Sequence, residues 1–159
     1  MMRLHRGIVL SLLVSSAALG ACKSSTAPNP CADFQGTWNT NSFVYTANAN
    51  PAVTVDLSSL GAAIMLSVDG SCNYTGTANI PTITNGAANI NGSFTLNTDS
   101  STLNLQDATA IGQVINNTYQ YTLSGNSLTL VNPSTTFDFD AAGPNPAIPA
   151  TVTITFQKS

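Results

Sequence analysis

From residue 31 onward, apolar and polar residues alternate along most of the chain. Valine, isoleucine, tyrosine, phenylalanine and threonine fill the alternating stretches, and apolar residues at helical spacing are missing. Alternation with a period of two is typical of strands that bury one face. The pattern predicts eight strands, at about residues 35–46, 60–68, 71–80, 88–97, 101–107, 115–124, 127–140 and 150–157.

Two short hairpin loops predict how four of these strands pair. A two-residue Gly-Asn turn places Leu123 opposite Leu128, and a two-residue Asp-Ser turn places Leu96 opposite Leu103. A slip of one residue would turn either strand over, because successive side chains point to opposite faces. Both registers therefore gather the apolar side chains on one shared face.

A third hairpin needs a longer loop. A two-residue turn would set a leucine opposite an asparagine, whereas a three-residue loop at 68–70, with glycine in the left-handed position, restores the match. This loop predicts Leu66 opposite Cys72 and Ile64 opposite Tyr74. Short hairpins in sequence order imply an antiparallel up-and-down sheet, which can close into a barrel or fold into a sandwich.

The segment before the strands is typical of an export signal. Arg3 and Arg6 precede an apolar run over residues 7–21, which is too short for a comfortable membrane span. The run ends in Leu19-Gly-Ala-Cys22, which resembles a bacterial lipobox and implies that the Cys22 thiol receives a diacylglyceryl group. The alternative is an ordinary signal peptide followed by an unrelated cysteine.

These features predict three regions and a location. Residues 1–21 are the lipoprotein signal peptide, residues 22–30 the lipid anchor with a Ser/Thr/Pro tether, and residues 31–159 the barrel domain. The membrane is then a partner through acylated Cys22. The expected location is the cell envelope, and Lys23, standing where an aspartate would retain a lipoprotein at the inner membrane, favours the outer membrane.

Composition narrows the possible functions. Threonine, asparagine and serine make up 55 of 159 residues, and only 7% are charged. After removal of the signal peptide, two lysines face seven aspartates for a net charge of −5, with no histidine, arginine or glutamate. Such a chain lacks the basic footprint of a nucleic-acid binder. It also lacks the imidazole of Ser-His-Asp, Cys-His and zinc sites, so we expect neither an enzyme nor a cofactor or metal.

Two pairs of residues carry candidate chemistry. Asp138 and Asp140 lie two apart on a predicted strand and face the same side, as paired catalytic or calcium-binding carboxylates would, but solvated carboxylates are the favoured interpretation. Cys31 and Cys72 are the only other cysteines besides Cys22. In an oxidising exported compartment they predict a disulfide, and two separate buried thiols are the alternative.

The first predicted strand carries a family resemblance. Phe34-Gln-Gly36-Thr-Trp38 resembles the G-x-W motif of calycin barrels, and the chain is most similar to bacterial lipocalin-like lipoproteins. The resemblance implies an all-β, eight-stranded antiparallel up-and-down barrel. It also implies that Gly36 lets the first strand bend and that Trp38 packs across one barrel end, with Lys158 as the basic residue against it. The T-D-Y motif of kernel lipocalins and their terminal arginine are missing.

The predicted register points five aromatic side chains into the barrel. Tyr74, Phe94, Tyr119, Tyr121 and Phe156 are therefore the candidate ligand-binding residues. One hypothesis is a binding module for a small apolar ligand, and the alternative is a structural or inhibitor-like interaction barrel with a packed interior. Cavity volume distinguishes the two, because ligand pockets usually measure about 300–1,000 Å³.

Overall fold

The computed structural model describes residues 28–81, 86–106, 108–110, 113–115, 117–140 and 146–159. Short 3-10 helices cover Ala32–Phe34 and Ser58–Leu60. The strands are β1 Gly36–Ala47, β2 Thr54–Asp56, β3 Ala63–Val68, β4 Asn73–Asn79, β5 Ala88–Asn97, β6 Thr102–Gln106, β7 Ala108–Ala110, β8 Gln113–Ile115, β9 Thr118–Ser124, β10 Ser127–Phe137 and β11 Ile148–Lys158.

Eight of these strands close into an antiparallel barrel in the order β1-β3-β4-β5-β6-β9-β10-β11, and β11 pairs back to β1. They correspond to the eight predicted segments, so the predicted fold class is confirmed. Closure satisfies the backbone groups that a sandwich would leave at its edges. Three short strands were not predicted: β2 pairs with β1 outside the barrel order, and β7 pairs with β8 in a small separate sheet.

A bulge in β1 shifts the register of its pairing with β11. The β1–β11 register shifts between Thr40 and Ser42, so that Trp38 and Phe43 both face inward although their spacing is odd. On its other side β1 pairs with β3 near Trp38 and with β2 further along. Where the β1–β3 ladder ends, the Thr40 hydroxyl accepts from Ile64 N (2.8 Å) and donates to Ile64 O (2.9 Å).

The predicted pairing holds in two of the three hairpins. Leu123 lies opposite Leu128, and Leu96 lies opposite Leu103. The third register is wrong, because Leu66 lies opposite Gly76 and not opposite Cys72. Likewise, the residue opposite Ile64 is an alanine rather than Tyr74.

The side chain of Asp69 explains this third register. Its Oδ1 accepts the backbone N–H groups of Ser71 (2.8 Å) and Asn73 (2.9 Å), which moves the loop to residues 70–72. The left-handed residue is then Cys72, with φ of 62°, and not the glycine. The pairing moves by an even number of residues, so every side chain keeps its predicted face.

Strand β10 ends at Phe137, three residues before the predicted boundary. Asp138 Oδ1 accepts the N–H of Asp140 at 2.9 Å, so the two carboxylates belong to a turn and not to one face of a strand. A second bulge, between Asn132 and Thr135, bends β10 at Pro133. The three longest strands, β1, β10 and β11, extend past the others at the end where β1 finishes.

We call the end of the barrel that holds Trp38 the base and the opposite end the far end. The core fills both halves of the interior. Leu57 comes from the long connection between β1 and β3, is 1% exposed, and donates its backbone N–H to Phe43 O at 2.8 Å. The largest fully buried side chains are Trp38, Phe156 and Leu57.

Candidate functional site

The base is closed by residues from the two ends of the domain. Trp38 is fully buried, and the Nζ of Lys158 lies 5.3 Å from the centroid of its ring, within cation–π range. Gly36 has a φ of 137°, and a Cβ at this position would lie 2.5 Å from the Lys158 Cε. The structure thus brings the glycine and tryptophan of the G-x-W motif together with the one lysine of the last strand.

Residues 29–35, which we call the N-terminal plug, cover the same end. The Cys31–Cys72 disulfide ties the plug to the loop between β3 and β4, as the cysteine count predicts. Asn29 Nδ2 donates to Gly70 O at 2.7 Å on the same loop. The Trp38 indole N–H donates to Phe34 O at 2.7 Å, which leaves no unpaired donor on the tryptophan.

Phe34 is the side chain with which the plug enters the barrel. It is 3% exposed, and its ring centroid lies 5.5 Å from that of Phe94 and 5.4 Å from that of Tyr121. Tilted and edge-on contacts at these distances are favourable aromatic geometries. Phe34 is thus part of the core although it precedes the first strand.

Inside the base half of the barrel is a cavity of about 140 Å³. Four of the five candidate ligand residues line it: Tyr74, Phe94, Tyr119 and Phe156. Tyr121 does not, because its ring packs against Phe34 below the cavity. The remaining lining side chains are apolar and aromatic: Phe34, Trp38, Ile64, Leu66, Val68, Ile90, Leu103, Leu105, Leu128, Leu130 and Ile154.

Of the two sequence-based hypotheses on the interior, the volume favours the packed one. About 140 Å³ is less than half the lower limit of ordinary ligand pockets, which is about 300 Å³. An apolar void of this size takes a molecule as large as benzene. The cavity therefore has no room for a lipid or any comparably long chain.

Tyrosine hydroxyls supply the polar groups of this apolar interior. Burial, and next the nearby phenol of Tyr45, raise the pKa of Tyr119 to about 12, while a hydrogen bond with Asn117 opposes the shift. Burial also raises the pKa of Tyr45 and of Tyr74. These phenols therefore stay neutral at physiological pH.

A second space, which we call the base groove, lies at the barrel base next to the plug. Its volume is about 600 Å³, and it is lined by Pro28, Asn29, Pro30, Asp33, Phe34, Leu96, Thr98, Tyr121 and Leu123. Phe34 lines both this groove and the interior cavity. Asp33 is the only charged side chain in the lining.

The outer wall of the barrel is neutral. Within the described residues the charged side chains stand at strand ends and in loops: Asp33, Asp56, Asp69, Asp99, Asp138, Asp140 and Lys158. The far end also carries three of the four large apolar side chains that are most exposed in this part of the chain: Val53, Leu60 and Ile148. The two ends are therefore the chemically distinctive surfaces.

Some functional features escaped the sequence reasoning. The sequence predicts a role for Phe34 only as part of the G-x-W motif. A large aromatic residue just before the first strand could also have indicated a segment that packs into the end of the barrel. Tyr45 stacks on Phe137 with ring centroids 4.1 Å apart, and this pair was missed because the bulge in β1 resets the alternation. Leu57 continues the alternation of Val53 and Val55, and this pattern could have indicated a short strand and a buried residue in the connection between β1 and β3.

Several predictions fall beyond the described residues. Cys22, the signal peptide and most of the tether lie there, as does Asp107. Among the residues that are described, no group of three or more metal-ligating side chains occurs. The same part of the chain contains no helix that is long and apolar enough to span a membrane.

Comparison with known proteins returned no relative. No protein-family model matches the chain, and neither a curated protein nor a solved structure shows a significant match. The fold and the geometry of the base therefore carry the functional argument alone.

Proposed function

We propose that the protein is a lipid-anchored lipoprotein of the cell envelope whose lipocalin-like barrel acts through its outer surface and does not carry a lipid. The observation that carries this proposal is the interior volume of about 140 Å³. A lipid carrier needs a pocket of at least about 300 Å³. The packed alternative is thus the better of the two functions considered from the sequence.

The position of the plug supports an orientation for this module. The chain enters the barrel base at residue 28, only six residues after Cys22, and six extended residues span at most about 20 Å. An acylated Cys22 would hold the base next to the bilayer. The far end would then point away from the membrane, toward possible partners.

The chemistry of the far end supports a protein partner. Val53, Leu60 and Ile148 lie at this end and are 39–58% exposed, and we propose that they form part of an apolar interaction surface. The charged residues of this end, in the described part of the chain, are the aspartates Asp56, Asp138 and Asp140. A partner with an apolar surface bordered by lysine or arginine is complementary to it.

Catalysis has no support in the residues of the domain. The mature sequence contains no histidine, arginine or glutamate, and its phenols have raised pKa values where a shift is resolved. We therefore propose a non-enzymatic role.

Cell fractionation tests the anchor. Cys22→Ser should move the protein from the membrane fraction to the soluble envelope fraction, because the thiol that accepts the lipid is lost. Ser24→Ala is the matched control and should remain in the membrane fraction. Membrane association of the Cys22→Ser protein would contradict the anchoring proposal.

A further inference from the structure

Phe34 lines both the interior cavity and the base groove. The interior cavity above it measures about 140 Å³. The base groove below it measures about 600 Å³ and opens to solvent. The Phe34 ring contacts those of Phe94 and Tyr121, and Phe34 is the one described residue that the two linings share.

We propose that the interior cavity and the base groove form one latent binding site for a single alkyl chain, and that Phe34 is the residue that keeps the chain out. With the ring displaced, the two spaces become continuous, and the interior cavity, which is too small for a chain by itself, gains the volume of the base groove. The site would be entered from the base and not from the far end.

The lining defines the chemical class of the guest. Above Phe34 the walls are leucine, isoleucine and aromatic side chains with two phenols, which suit a hydrocarbon tail. Below it, the groove offers the amide of Asn29, the hydroxyl of Thr98 and the carboxylate of Asp33. An uncharged head group can hydrogen-bond there, whereas a carboxylate head would meet Asp33. The fitting guest is therefore a single-chain amphiphile with an uncharged head, such as a long-chain alcohol.

A disulfide and two hydrogen bonds hold the plug in place at the base. The disulfide fixes residue 31, Asn29 donates to Gly70 O, and the Trp38 indole holds the carbonyl of Phe34. None of these restraints involves the Phe34 side chain, so truncating that side chain opens the passage without releasing the segment. The experiment therefore varies the Phe34 side chain and leaves the rest of the plug unchanged.

The experiment uses Trp38 as an internal reporter. Trp38 is the only tryptophan of the chain and lines the cavity, so a bromine-labelled alkanol that enters should quench its fluorescence by contact. The exported chain carrying Cys22→Ser is used, because it should need no detergent. Phe34→Ala is compared with Phe43→Ala, which removes the same group from a buried position that borders neither space.

The proposal predicts saturable quenching in Phe34→Ala at alkanol concentrations at least roughly tenfold below those that affect the Phe43→Ala or the parent protein. The matching bromine-labelled carboxylate should quench more weakly. Phe34→Leu, a smaller change, provides the same comparison if Phe34→Ala does not fold. Absence of quenching in a folded Phe34 variant, or equal quenching in Phe43→Ala, would overturn the latent site. Quenching of the parent protein itself would instead contradict the proposal that the closed barrel carries no lipid.

Discussion

The Lys158 ammonium lies 5.3 Å from the centroid of the Trp38 ring, at the point where the last strand of the barrel meets the first. The Lys158 Nζ also lies 3.4 Å from Asp33 O, so one side chain contacts the plug and the first strand. Closure of the barrel and coverage of its base therefore depend on the same lysine.

Replacing this lysine tests the closure. Lys158→Met keeps the length and apolar stem of the side chain but removes the charge, and we expect a loss of about 0.5–1 kcal/mol in the free energy of unfolding. Trp38 emission should change as well, since its cationic neighbour is gone. Lys158→Arg, which keeps the charge, serves as the control in a denaturant titration. Equal stability of Lys158→Met and the parent protein would show that the contact adds nothing.

The glycine of the motif should be intolerant of a side chain. Gly36→Ala combines an unfavourable φ of 137° with a Cβ only 2.5 Å from the Lys158 Cε. Gly61→Ala shares a positive φ, at 91°, but meets nothing within 4 Å. The Lys158 Cε belongs to the flexible end of its side chain and can move away, but the lysine then loses its contact with the Trp38 ring. We therefore expect Gly36→Ala to lose about 0.5–1 kcal/mol more than Gly61→Ala. In the Gly36→Ala/Lys158→Ala double variant this excess should shrink, and an unchanged excess would contradict the clash.

The disulfide should stabilise the domain by reducing the conformational entropy of the unfolded chain. Cys31 and Cys72 are 41 residues apart, and closing a loop of this length is worth about 3–4 kcal/mol in the chain-entropy model. The Cys31→Ser/Cys72→Ser protein should unfold at lower denaturant concentration than the oxidised parent. Reduction of the parent should produce the same shift, and reduction of the double variant should have no effect. Failure of a dithiol to lower the midpoint of the parent would contradict this prediction.

Alkaline pH should destabilise the barrel through its buried phenols. The pKa of Tyr119 is raised to about 12, whereas an unfolded tyrosine titrates near 10. Between these values the unfolded state releases a proton that the folded state retains, so the free energy of unfolding falls as pH rises. The loss from Tyr119 should reach about 2–3 kcal/mol near pH 12, and stability should be intact below about pH 10.

Tyr119→Phe separates this effect from general alkaline denaturation. The variant loses the hydrogen bond with Asn117, so we expect it to be about 1 kcal/mol less stable at neutral pH. Its stability should nevertheless fall less steeply above about pH 10 than the stability of the parent does. A slope that matches the parent's would assign the alkaline loss to other groups.

The alternation of residues was sufficient to predict all eight barrel strands and the inward faces of most of them, whereas in β1 the bulge resets the alternation. Leu123 and Leu128, and Leu96 and Leu103, meet as expected, because two-residue turns leave little choice of register. The β3–β4 register was not predictable in this way. It is set by hydrogen bonds that the Asp69 carboxylate accepts from the loop backbone, and local pattern matching does not weigh such bonds.

The candidate site was predicted in part for a similar reason. Inward-facing residues follow from strand parity, so four of the five aromatic candidates line the cavity. The position of Tyr121 depends on Phe34, which lies outside the strands and reaches the barrel through the plug. Cavity volume depends on how all these side chains pack together, and no single strand pattern contains that information.

Native mass spectrometry of the protein extracted from its own membrane tests the central claim most directly. The account predicts a chain that begins at Cys22, carries covalent acyl groups and has no non-covalent lipid bound. A chain that retains residues 1–21, or that lacks acyl groups, would contradict the lipid anchor. A lipid that stays bound to the folded barrel would contradict the claim that its interior carries none.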